Sequence, residues 1–279
     1  MNVQWYPGHM TKAKRMMQSD IKLIDLVIEL LDARAPLSSQ NPDIDELAKG
    51  KARLVLLNKS DLADPGANDA WLGYFKEKNM PALLLDSRNR GGFEPIRGMI
   101  AEIFREKTER DRKRGIINRP VRAMIVGIPN VGKSTFINSL SRRASTKTGN
   151  KPGVTKGKQW IKLDRSIELL DTPGILWPKF ENRDTGINLA IIGSVSDEIV
   201  DGAELALKLI EKLKAAYPQT ISMRFEIDED DDALHILDGI ALKRGCLKKG
   251  GAPDYDKAAK CLIDEYRSGR LGRISLERP

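Results

Sequence analysis

Between about residue 25 and residue 175 the chain alternates short, near-continuous apolar runs with longer amphipathic stretches. The apolar runs fall at residues 25–31, 53–57, 82–85, 121–126 and 166–170, and each predicts a strand. Runs that are apolar on both faces suit strands covered above and below, as in a parallel sheet. Helical spacing fills the gaps, as at residues 70–78 and 93–105. This alternation predicts a doubly wound, mostly parallel α/β domain. From about residue 185 the pattern changes: residues 188–192, 205–213, 233–242 and 255–266 all carry helical spacing, with few strand-like runs between them. Two domains are therefore expected, an α/β domain over 1–180 and a small all-helical one over 181–279, with the boundary between 177 and 185.

Composition narrows the class. With 279 residues and 41% hydrophobic side chains the chain can bury a real core, which excludes a mostly disordered protein. No run approaches the roughly 18 apolar residues of a membrane helix. The opening Met1-Asn2-Val3-Gln4-Trp5-Tyr6 lacks the pattern of a secretory signal. Cys246 and Cys261 are too few for a disulfide framework or a zinc site, so a reducing cytoplasm is expected. The net charge of +8 is unevenly spread. Residues 1–180 carry 32 basic and 20 acidic side chains (+12), residues 181–232 carry 5 and 13 (−8), and residues 233–279 carry 10 and 6 (+4). A basic excess of this kind suits a polyanionic partner, because each Lys or Arg placed on a phosphate releases a counterion.

Candidate chemistry sits at strand ends. Gly127-Ile128-Pro129-Asn130-Val131-Gly132-Lys133-Ser134 has the phosphate-loop spacing G-x-x-x-x-G-K-S/T, and it follows an apolar strand and precedes a helix beginning near Thr135. Glycines there let backbone N–H groups wrap phosphate oxygens at a helix N-terminus. Lys133 is expected on the β- and γ-phosphates and Ser134 on magnesium. Asp171-Thr172-Pro173-Gly174 closes a strand: Asp171 is expected to hold magnesium through water, and the Gly174 N–H to meet the γ-phosphate. Between these motifs Thr155, ahead of Thr146 and Thr148, is the candidate sensor of γ-phosphate and magnesium. Upstream, Asn58-Lys59-Ser60-Asp61 closes another strand. A carboxylate at Asp61 can accept from both N1–H and the 2-amino group of guanine and would repel the unprotonated N1 of adenine. Lys59 is expected along the base plane, and Asp86-Ser87-Arg88 would support the base from the far side. The expected nucleotide set is therefore Asn58, Lys59, Asp61, Asp86, Ser87, Asn130, Val131, Gly132, Lys133, Ser134, Thr135, Asp171 and Gly174, with GTP or GDP as ligand.

The order is unusual. Base-reading Asn58 precedes Gly127 by 127 − 58 = 69 residues, whereas an ordinary GTPase has the phosphate loop first. A circularly permuted GTPase domain keeps the strands in place in space while moving the chain ends to the surface. It also leads the segment after Gly174 straight into the helical domain, where a change at the γ-phosphate could be felt.

These motifs, with Trp5-Tyr6-Pro7-Gly8-His9-Met10, Asp32-Ala33-Arg34-Ala35-Pro36, Pro152-Gly153-Val154-Thr155-Lys156 and Gly193-Ser194-Val195-Ser196-Asp197-Glu198, resemble the circularly permuted ribosome-assembly GTPases of the YlqF, or ribosome biogenesis GTPase A, family. The resemblance spans nearly the whole chain. It implies a cytoplasmic GTP hydrolase that acts late in assembly of the bacterial large (50S) ribosomal subunit. Its partners would be the subunit precursor and ribosomal RNA, bound by the C-terminal domain in a nucleotide-dependent way, with no membrane or DNA partner. Ile175 stands where a Ras-like enzyme has its water-orienting Gln, and the family's suggested substitute is His9; its other role is that of a loop or helix-start residue. The expected catalytic set is thus His9, Lys133 and Thr155. Asn130 resembles a potassium ligand of related GTPases, the alternative being a loop-shaping Asn.

Basic clusters at 110–114, at Arg142, Arg143, Lys147 and Lys151, and at Lys243, Arg244, Lys248 and Lys249 are read either as solvated surface or as RNA phosphate contacts, the second favoured by the resemblance. Trp5, Trp160 and Trp177 are read as packing, and the acidic run 228–232 as a linker or helix start. A different class of function stays open, a nucleotide-gated RNA-binding regulator of translation in which hydrolysis is secondary. A trafficking GTPase is disfavoured by the absence of a lipidation motif.

Overall fold

The structure is a computed structural model that describes residues 8–89, 93–116, 119–148, 160–163, 165–177 and 182–279; the side chains of 8–10 and 141–148 lie outside that description. Six strands make one sheet: β1 (Leu26–Asp32), β2 (Ala52–Asn58), β3 (Ala82–Leu85), β4 (Val121–Val126), β5 (Trp160–Lys162) and β6 (Ile167–Asp171). Their spatial order is β3-β2-β1-β4-β6-β5. Every pairing is parallel except β5 with β6. All seven residues of β1 are buried, as a central strand with helices on both faces requires. β5 was not among the expected strands: three residues with an exposed lysine carry too little pattern to announce an edge strand.

Helices cover the sheet: α1 (Gly8–Asp20), α2 (Pro36–Ser39), α3 (Pro42–Leu47), α4 (Pro65–Glu77), α5 (Phe93–Ile103), α6 (Arg105–Lys113) and α7 (Lys133–Thr148). α4 starts five residues before the expected 70, because Asp64 caps it, accepting from Ala67 N at 2.7 Å, and Pro65 sits in the first turn. The expected helix 93–105 is two helices, broken at Phe104, whose ψ of 8° leaves the helical region.

The chain lays β1, β2 and β3 outward in one direction and then returns past β1 to place β4 on its other side. The crevice at the C-terminal ends of β1 and β4 is thus the topological switch point, where open α/β sheets bind ligands. From residue 182 the described chain is helical: α8 (Arg183–Ile191), α9 (Gly202–Ala216), α10 (Thr220–Phe225), α11 (Ala233–Lys243) and α12 (Tyr255–Arg267). Asp side chains cap α9, α11 and α12 in turn. One continuous apolar core joins the sheet to these helices through Leu176, Trp177, Ile187 and Leu189. After α12 the chain crosses back onto the α/β layer, where Leu276 N donates to Arg34 O at 2.7 Å.

Candidate functional site

β4 ends at Val126, the loop 127–132 follows, and α7 begins at Lys133. Two glycines are demanded by close approach. A Cβ on Gly127 would lie 2.6 Å from Leu30 O, and one on Gly132 (φ +104°) would lie 2.3 Å from Asn58 Nδ2. Asn130 takes a left-handed φ of +58°, which Asn tolerates better than most residues. Its side-chain nitrogen donates to Gly193 O at 2.7 Å, tying the loop to the turn after α8. Lys133 is 7% exposed, and its Nζ donates to the carbonyls of Gly127 and Ile128, both at 2.9 Å. Burial pulls its pKa down to about 8, against the attraction of Asp171. Asp171 ends β6 opposite Ile125; burial raises its carboxyl, while Lys133 and the Thr172 N–H oppose that. Gly174 has to lack a side chain, since a Cβ would sit 2.7 Å from Lys133 Nζ and 3.0 Å from Pro129 backbone. The Asp171–Gly174 loop therefore closes on the phosphate loop. Ser134 and Thr135 are exposed on the first turn of α7.

The loops after β2 and β3 are stitched to the loop 127–132. Asn58, fully buried at the end of β2, donates from Nδ2 to Val131 O at 2.7 Å and accepts at Oδ1 from Ser87 N at 3.0 Å. One amide thereby sets the spacing between the phosphate loop and the loops after β2 and β3. Lys59 (φ +60°) donates from Nζ to Asn130 O at 2.8 Å and pairs with Asp32 at 3.0 Å. Asp32 also accepts two side-chain bonds from Arg34, at 2.9 and 2.8 Å, and one from its backbone N–H at 3.1 Å. Burial alone would raise the Asp32 carboxyl, but the charges of Arg34 and Lys59 hold it well below the usual carboxylate range. Asp61 has one oxygen paired with Arg88 Nη2 and the other, Oδ1, buried with no hydrogen-bond partner among the described residues. A buried carboxylate oxygen of this kind calls for a donor. Asp86 is turned toward its own loop, accepting from Arg88 N at 3.0 Å and Arg88 Nε at 3.4 Å.

The crevice thus gathers Asn58, Lys59, Asp61, Ser87, Asn130, Val131, Gly132, Lys133, Asp171 and Gly174. Thr155 lies outside the described residues; His9 is the second residue of α1, with its side chain outside them, as are those of Arg142, Arg143, Thr146, Lys147 and Thr148. Ile175 is 2% exposed and packed in the core. Arg110, Arg112 and Lys113 lie on α6. Lys243, Arg244, Lys248 and Lys249 are exposed at the end of α11 and in the following turn, away from the crevice loops in sequence; Lys243 pairs with Glu226 and Arg244 stacks over Phe225 at 4.9 Å. Trp177 is buried, Trp160 is half-buried beside Arg122, and the acidic run ends in the cap of α11, with Asp232 accepting from Leu234 N and His235 N. Local sequence does not announce Asp32 as the shared partner of Lys59 and Arg34, Arg88 as the partner of Asp61, or the segment 268–278. A charged pair at the exit of an otherwise apolar strand was the available signal for the first.

The site can be set beside known proteins. A family model described as "50S ribosome-binding GTPase" matches residues 122–243. The chain is similar to ribosome biogenesis GTPase A of Priestia megaterium, at 46% identity over 281 residues, covering 100% of this chain and 98% of that one. A GDP-bound YlqF structure superposes with a TM-score of 0.71 at 28% identity, covering 95% of this chain and 99% of the other. A GNP-bound YlqF from T. maritima does so with a TM-score of 0.69 at 29% identity, covering 96% and 98%.

Proposed function

As the chain belongs to the ribosome biogenesis GTPase A family and is a GTPase of ribosome assembly, we propose that its target is the precursor of the large ribosomal subunit, bound through ribosomal RNA in the GTP state. The observation that carries the nucleotide half of this reading is the Asn58 amide bridge from the base motif to Val131 O. It makes one site of motifs that lie far apart in the chain. Asp61 Oδ1, buried without a partner among the described residues, fits the N1–H and 2-amino donors of guanine.

Within this site each residue has a task. Lys133 leaves the carbonyls of Gly127 and Ile128 for the β- and γ-phosphates and neutralises charge that develops there. The Gly174 N–H meets the γ-phosphate. Ser134 and Asp171 supply the hard oxygen donors that suit magnesium, and Thr155 completes that set; the ion, when bound, supplies charge to the phosphates. Val131, Gly132 and Thr135 line the phosphates, and Ser87 and Asp86 hold the loop beneath the base. The Asn130 side-chain nitrogen is used by Gly193, and a potassium ion would take its side-chain oxygen. His9 takes the role of placing water, since Ile175 is packed in the core.

In this reading residues 1–180 form the nucleotide unit and 181–279 the helical unit. Arg142, Arg143, Lys243, Arg244, Lys248 and Lys249 contact RNA phosphates in the cytoplasm, and turnover is slow until the ribosomal particle stimulates it. The test is co-sedimentation with large-subunit precursors. GTP-loaded protein should pellet with them at a salt concentration where GDP-loaded protein stays behind. Equal retention in both states, or no preference over bulk RNA, would overturn the proposal. The buried Ile175 favours one second reading, a regulator in which hydrolysis is secondary. A His9→Ala protein that binds GTP, does not hydrolyse it and fully supports assembly would establish that alternative.

A further inference from the structure

The loop that carries Asp61 is held from outside by the segment that follows α12. Arg273 donates from Nε to Ala63 O at 2.9 Å and from Nη2 to Ser60 O at 3.0 Å. Ile274 N donates to Leu62 O at 3.0 Å. Asp64 N donates to Ser275 Oγ at 3.1 Å. Three carbonyls and one N–H on either side of Asp61 therefore bond to residues 273–275, the Ser60 carbonyl sharing its acceptance with Asn68 Nδ2 at 3.0 Å. Such groups need partners wherever they are shielded from water. The fit is close: Ile274 and Ser275 are buried, and Gly269 takes a left-handed φ of +77° with Leu62 Cδ2 packed 2.7 Å from where a Cβ would stand.

The same segment is tied to the helices. Ser275 N donates to the Tyr217 hydroxyl at 3.0 Å, just beyond α9. Glu277 accepts from Asn188 Nδ2 of α8 at 3.0 Å and from Leu37 N at 2.9 Å. A displacement of α8 or α9 would be transmitted by these bonds to the loop 60–64.

We propose that residues 273–275 are a positioning element for base recognition, which sets the Asp61 carboxylate for guanine and couples base affinity to the position of the helices after residue 182. The proposal rests on Asp61 being the base reader. Paired hydrogen bonds discriminate only when the carboxylate is held in place, so loosening the loop costs specificity as well as affinity. Phosphate chemistry is left alone, because residues 273–275 bond to the base-loop side of the crevice.

The test compares fluorescent GDP and IDP, which differ only by the guanine 2-amino group, on the full-length protein and its Arg273→Ala and Ser275→Ala variants. Arg273→Ala should weaken GDP binding about 10-fold, the worth of one or two net hydrogen bonds, mainly through faster release. The preference for GDP over IDP should shrink by about 3-fold or more, while kcat at saturating GTP stays within about 2-fold. Arg273→Lys should restore part of the loss, since Lys can reach one carbonyl but not present a fork to two. Ser275→Ala, a milder change, should move both readouts the same way and keeps the test open if Arg273→Ala does not fold. An unchanged GDP-to-IDP ratio in a folded variant overturns the proposal, whether affinity is unaltered or falls equally for both nucleotides. Asp61→Asn tests the premise separately: it should transfer preference to XDP, and if it does not, the base-reader assignment itself fails whatever the Arg273 variants show.

Discussion

A lysine buried to 7% exposure keeps its charge at neutral pH only because its surroundings compensate, and for Lys133 these are two carbonyls and the Asp171 carboxylate. Compensation is incomplete, and burial leaves its pKa at about 8. Phosphate binds the charged form. Below about pH 8 that form predominates and affinity for GDP should be flat; above it one proton has to be taken up on binding, so Kd should rise toward 10-fold per pH unit. Isothermal titration up to about pH 9 checks this, and a flat profile across that range would remove Lys133 from the phosphates. Gly132 makes a second prediction at this scale. Gly132→Ala puts a methyl 2.3 Å from Asn58 Nδ2 and asks an L-residue to hold φ +104°. GDP affinity should fall more than 10-fold and stability by about 1–3 kcal/mol, read by titration and by urea unfolding. Retained affinity would mean that the Asn58–Val131 bridge does not set the site.

At the scale of elements, the strands were legible because their apolar runs report burial on both faces, and the site motifs were legible because they stand where those strands end. What was hidden has a physical reason in each instance. β5 is too short to show a period. α5 and α6 read as one helix because the break at Phe104 is a change of ψ with no Gly or Pro to mark it. Asp32 and Arg34 lie two residues apart, but their importance comes from Lys59 and Tyr266, which are remote in sequence. Arg34 is 1% exposed, forks onto Asp32, and lies over the Tyr266 ring at 5.3 Å, so β1 and α12 meet on one guanidinium, while Lys59 reaches the same Asp32. Arg34→Ala would leave buried Asp32 with Lys59 as its one paired cation, at a cost of about 3–5 kcal/mol. Arg34→Lys should recover only a fraction, lacking the fork. Denaturant midpoints measure both, and a loss under about 1 kcal/mol for the alanine variant would show the cluster to be replaceable.

For the whole molecule, the loops on both sides of the switch point connect to the helices that follow residue 182. The Asp171–Gly174 loop leads into α8, Asn130 bonds to the turn after α8, and residues 273–275 return to the base loop. The sequence made the first of these legible through Gly174; the return could not be read, because residues 268–278 carry no period and their bonds to the base loop span the chain, as Arg273 to Ala63 does (210 apart). No helix among the described residues is long and apolar enough to cross a membrane, and Lys248 and Lys249 are exposed in a turn where phosphates can reach them. Replacing both by Ala should lower the salt dependence of particle binding by a slope of about 2, against no change if they are only solvated surface. The central claim, that motifs before and after the phosphate loop build one guanine-nucleotide site, is tested most directly by amide hydrogen exchange with and without nucleotide. GDP should slow exchange in residues 127–135 together with residues 58–62 and 86–89, and ADP at the same concentration should not. Protection confined to 127–135, or equal protection by ADP, would contradict it.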